Sequence, residues 1–89
     1  MLYMTIYTYE PGKRDEVIKR RAEKGAMVPE GMKVIGEWVA PGAGRVFMLV
    51  ETDEAKALLA AAFPWGDLGK LETVPVMAVE EVMKLLSTK

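Results

Sequence analysis

The sequence predicts one α+β domain with the element order βαββαβ and one further helix at the end. Two observations carry that reading. Four short segments alternate apolar and polar residues with the period of a strand, and two stretches between them repeat apolar residues with the period of a helix. The chain of 89 residues has room for a single core, so residues 1–89 are read as one domain.

Leu2 to Glu10 carries apolar residues on both parities, Leu2, Met4 and Ile6 against Tyr3, Tyr7 and Tyr9, the pattern of a strand covered on both faces. Pro11-Gly12 breaks it. Lys13 to about Met27 then reads as a helix with Val17, Ile18, Arg21, Ala22 and Gly25 on one stripe. Asp15 and Glu16 stand near its start and Lys19, Arg20, Arg21 and Lys24 follow toward its end, the order the helix dipole favours. Met32 to Ala40 is a second strand, and Pro41-Gly42-Ala43-Gly44 turns it into a third over Arg45 to Glu51. Asp53 can cap a second helix with Ala55, Leu58, Leu59, Ala62 and Phe63 at helical spacing, stopped by Pro64. Lys70 to Met77 reads as a fourth strand whose Pro75 suits an edge, and Val79, Val82, Met83 and Leu86 mark a terminal helix.

Right-handed crossovers around a central hairpin make this a ferredoxin-like sandwich, an antiparallel sheet with both main helices on one face. The expected helix side holds Leu2, Met4, Ile6, Val34, Trp38, Phe47, Leu49 and Leu71. The other side then holds Tyr3, Thr5, Tyr7, Ile35, Val39, Val46, Met48, Val50, Val74 and Val76, a face too apolar for water. A homodimer through that sheet face is the consequence, with Tyr3, Tyr7, Met48, Val50 and Val76 buried mainly by the second subunit.

Composition removes several chemistries. The chain contains no His, Cys, Asn or Gln, which takes away the commonest general base, the usual zinc ligands, thiolate chemistry and carboxamide oxyanion donors. No cofactor and no metal are expected. The formal net charge of −1 provides no basic field for phosphate backbones, so nucleic acid is not an expected partner. No apolar run is long enough to span a bilayer, and no leader pattern opens the chain, so the expectation is a soluble, cytoplasmic protein without a membrane partner. The missing amides and thiols fit a thermophilic source, while the seven Met residues point the other way.

Met27-Val28-Pro29-Glu30-Gly31, Trp38-Val39, Phe47 to Asp53, Trp65-Gly66-Asp67-Leu68 and Glu72-Thr73-Val74-Pro75-Val76 together resemble a family of uncharacterised small bacterial and archaeal proteins. That family is a domain of unknown function in the dimeric α/β-barrel superfamily. The likeness covers nearly the whole chain and departs at Tyr7, where an acidic residue is expected, and at Glu37, where Ser is common. The resemblance implies a dimeric α/β-barrel with a cavity between the sheets. Related groups include cofactor-independent monooxygenases, muconolactone isomerases, haem-dependent dismutases and ligand-sensing modules, and a chain without His lacks the usual haem ligand.

Two functional readings stand side by side. In the first, a non-catalytic homodimeric module binds a small, mostly apolar metabolite in the cavity between the two sheets, through Tyr3, Thr5, Tyr7, Glu37, Met48 and Glu72. In the second, a cofactor-independent isomerase or monooxygenase uses Glu37 or Glu72 as base and Tyr3 or Tyr7 as hydrogen-bond donor to an oxyanion. The plainer alternative for both carboxylates is a rim position, solvated or paired with Lys33, Arg45 or Lys70. Arg21 could hold an acidic ligand or Glu51 with its fork, or lay its methylenes on the core edge. Trp65 and Asp67 could form a lid, or Trp65 could anchor its loop to the core.

Overall fold

The computed structural model describes residues 1–87. The chain runs β1 (Leu2–Tyr9), α1 (Arg14–Lys24), β2 (Lys33–Ala40), β3 (Arg45–Glu51), α2 (Ala55–Ala62), a single 3₁₀ turn (Phe63–Trp65), β4 (Gly69–Val76) and α3 (Val79–Ser87). The four strands form one antiparallel sheet in the order β2-β3-β1-β4, an arrangement compatible with the ferredoxin-like class. Pro75 lies on edge strand β4, where its missing N–H leaves no internal ladder bond unmade. The strands follow their alternating segments within a residue or two, because a turn signal bounds each of them.

The helix ends differ more. Helix α1 stops at Lys24 rather than near Met27, because Gly25 takes a φ of 70° and leaves the helical region. At α2 the cap position is Glu54, not Asp53, and no side chain caps it. Thr52 organises the approach instead: its hydroxyl donates to the Gly31 carbonyl at 2.7 Å and accepts from the Glu54 N–H at 3.1 Å. Pro64 does not end the helical path abruptly, since it sits within the 3₁₀ turn that follows α2.

Sheet register decides which residues share a face. Across the strands, Val39, Val46, Tyr7 and Leu71 form one row, and Glu37, Met48, Thr5 and Thr73 the next. These rows face α1 and α2. Tyr7, at 7 % exposure, packs with Val17 of α1 and Leu68, and Val50, in the row beyond Met48, is fully buried within the single chain at 0 %. The expected sides are therefore exchanged on β1, on β3 and at Trp38 and Val39 of β2, whereas Val34 and Leu71 lie on the helix side as expected. Tyr3, Thr5, Tyr7, Met48 and Val50 lie under the helices, and Leu2, Met4, Ile6, Trp38, Phe47 and Leu49 form the open face, joined by Val74 and Val76. Tyr7 and Val50 consequently need no second subunit to become buried. A register shift between Val34 and Gly36 breaks the expected alternation of β2, because Val34 shares the helix side with Glu37 while Trp38 lies on the open face.

On the open face the Trp38 ring lies close over Gly36, where a Cβ atom would collide with it, yet the residue remains 54 % exposed. Gly69 answers a tighter demand: a Cβ there would come within 2.5 Å of the Thr8 carbonyl oxygen and 2.6 Å of the Tyr9 Cα. Glycine thus lets β4 start hard against the end of β1. Among the described residues, no helix is long and apolar enough to cross a membrane.

Candidate functional site

The row containing Tyr7 and the row containing Met48 form the floor of a cavity of about 630 Å³ between the sheet and α1, closed at one end by Trp65 and Ala61. Val17 and Ile18 of α1 and Met27, Val28 and Met32 of the following loop supply its roof and side. Most of these side chains are apolar because the same alternation that builds the strand floor meets the apolar stripe of α1. Ile18 and Val39 line the cavity while remaining 58 % and 62 % exposed, so the mouth opens between α1 and edge strand β2.

One cation and one anion line the cavity among the described residues, Arg21 from α1 and Glu37 from β2. They meet as a fork, with Arg21 Nη1 donating to Glu37 Oε2 at 2.5 Å and Nη2 to Oε1 at 2.8 Å. The pair spans the two elements that frame the mouth. The Glu37 carboxylate raises the Arg21 pKa, chiefly through this hydrogen bonding.

Behind the closed end, Tyr7 donates its hydroxyl to the Trp65 carbonyl at 2.8 Å, and the two rings meet edge-on with centroids 6.0 Å apart. Burial pushes the Tyr7 phenol up, the Asp67 charge adds to that, and Arg20 opposes it. The phenol therefore stays protonated near neutrality, with its proton committed to a backbone oxygen. Arg20 clamps the same loop: its guanidinium donates to both Asp67 oxygens at 2.7 and 2.9 Å and to the Pro64 carbonyl, with Cζ 5.8 Å from the Trp65 ring centre. Trp65 is thus the anchor of its loop, and Asp67 is held by α1.

The Arg20 fork holds the Asp67 carboxyl at about 2, well below its ordinary value of 3.8. A lowered acid pKa stabilises the fold above the unfolded value, and that contribution disappears as pH falls through the folded value. Acid titration of the native chain should lose stability between about pH 4 and pH 2 in a component that Asp67→Asn lacks. Circular dichroism melts across that range check it, and identical pH profiles for the two proteins would contradict it.

Of the residues singled out from sequence, Thr5, Tyr7, Glu37 and Met48 line the cavity. Thr5 spends its hydroxyl proton on the Met48 carbonyl at 3.3 Å. Tyr3 shares their sheet face without reaching the cavity, and its hydroxyl points to Met1 Sδ at 3.8 Å. Glu72 pairs with Ile6 in the register and lies exposed on the opposite face, so it cannot act as a base here. Glu37 pairs with Arg21, not with Lys33, Arg45 or Lys70. Arg20, Val46 and Leu71 were missed as parts of the site. Val46 and Leu71 could have been found from their cross-strand alignment with Tyr7. Among the described residues no cluster of acidic side chains is arranged to hold a metal ion.

A family described as a domain of unknown function, DUF3303, matches residues 1–89. The chain belongs to the DUF3303 family. The match extends over every element that builds the cavity, so in this DUF3303 domain floor, roof and mouth come from one family unit. No curated protein matches the chain significantly.

Proposed function

We propose that this DUF3303 domain is a cytoplasmic binding module for a small, mostly apolar metabolite, held between α1 and the sheet, and that it works as a homodimer. The observation that carries the binding reading is the apolar cavity of about 630 Å³, open between Ile18 and Val39. Its size is in the range of small-molecule sites, and its few polar groups sit on a largely hydrophobic lining. Catalysis has weaker support. Tyr7 has committed its proton to Trp65, Glu72 is on the other face, and both oxygens of Glu37 accept from Arg21.

The dimer reading rests on the opposite side of the sheet. Leu2, Met4, Ile6, Phe47 and Leu49 leave that face strongly apolar with no helix over it, and Trp38 stands exposed upon it. Contiguous apolar area of this kind favours association, and a second copy offers an equally apolar, self-complementary face.

Octanol is a suitable probe of the cavity. With Trp38 replaced by Phe, Trp65 is the sole tryptophan and reports from the cavity end. Octanol should shift its emission saturably and raise the melting temperature, since ligand at ~100-fold its Kd stabilises the folded state by about 2.7 kcal/mol. Flat emission with an unchanged melting temperature up to octanol's solubility would refute the binding reading.

A further inference from the structure

We infer that the ligand of this cavity carries a carboxylate at one end of an apolar body, and that Arg21 receives it at the mouth. The inference rests on the binding reading above and names its ligand class. Arg21 is the lone cation of the lining among the described residues, and it stands beside exposed Ile18 and Val39 where a ligand enters. A guanidinium has five N–H donors in one plane, and the Glu37 fork engages one on each Nη atom. The Nε–H and the second hydrogen of each Nη are not used by that fork. A second carboxylate can therefore share Arg21 with Glu37, or take its place.

Glu37 supports this reading because it holds the guanidinium at the opening when no ligand is bound. Without that partner, Arg21 on the half-open surface of α1 would turn toward water. The same carboxylate repels an incoming anion, so Glu37 orients Arg21 at some cost in affinity. A purely structural ion pair predicts no such cost. An apolar tail laid along Val46, Leu71 and Tyr7 would then run inward from the charged head.

Octanoate, octanol and octylamine present the same tail with three heads, and isothermal titration at neutral pH compares them. Octanoate should bind roughly tenfold tighter than octanol, the gain expected of charge-assisted hydrogen bonds, and octylamine weaker than both. Arg21→Met should bring octanoate down to the octanol level while leaving octanol binding in place, which also shows that the variant is folded. Glu37→Gln keeps an amide oxygen that can accept from Arg21 and so hold it at the opening while removing the repelling charge, and it should tighten octanoate and leave octanol unchanged. Octanol binding with no preference for the acid, or a preference that survives Arg21→Met, overturns this inference alone. Failure of all three probes to bind overturns the cavity reading and this inference with it.

Discussion

Lysine at both Ile6 and Leu49 should yield a folded monomer, whereas lysine at Val50 should yield no folded chain. Leu49 and Val50 are neighbours in β3, but alternation sends them to opposite faces of the sheet. Ile6 and Leu49 lie on the open face, so in the proposed dimer their replacements would place two charges per subunit in a desolvated interface, at a cost of several kcal/mol. In the monomer those same charges meet water. Val50 is fully buried within one chain, and an unpaired ammonium there opposes a total stability of only about 5 to 15 kcal/mol. Sedimentation together with circular dichroism separates the two outcomes. A folded Val50→Lys chain would contradict the face assignment, and a stable Ile6→Lys, Leu49→Lys dimer would contradict the interface.

Val46→Phe should abolish octanol binding and make the domain more stable. Val46 sits on the cavity floor, between Tyr7 on β1 and Val39 on β2. A phenyl ring there enters open space instead of a packed core, so it gains apolar contact without the strain of overpacking. Cavity-filling changes of this type commonly add about 0.5 to 2 kcal/mol. Loss of binding with a higher melting temperature is the paired result that distinguishes filling from damage. Unaltered octanol affinity in Val46→Phe would mean that the ligand sits elsewhere.

The contrast between Leu49 and Val50 also shows where sequence reasoning reaches its limit. The strands were legible because alternation and turn residues are local, and β3 runs from Arg45 to Glu51 as its pattern indicates. Which face the helices cover is not a local property. Leu2, Met4 and Ile6 are more apolar than Tyr3, Tyr7 and Tyr9 with their phenolic hydroxyls, so hydrophobicity on β1 pointed to the face that the structure leaves open. The irregularity between Val34 and Gly36 breaks the simple parity of β2, and no proline there announces it. Glu72 shows the same limit for the site, since its grouping with Glu37 depended on a register between strands far apart in sequence.

Thr5, Tyr7, Glu37 and Met48 were recoverable because strong alternation placed polar groups among apolar ones on paired strands. Arg21 stood out by interrupting an apolar stripe, although its partner is Glu37 and not Glu51. Arg20 had no comparable signal. It lies in a run of bases on α1, and only the folded chain brings it to Asp67 across 47 positions.

Nuclear Overhauser contacts between bound octanol and methyl-labelled protein would locate the ligand directly. The tail should show cross-peaks to the methyls of Val17, Val46 and Leu71, on the cavity side, and none to those of Ile6 and Leu49 on the open face. Cross-peaks to Ile6 and Leu49 with none to Val46 would put the ligand on the other side of the sheet and contradict the account.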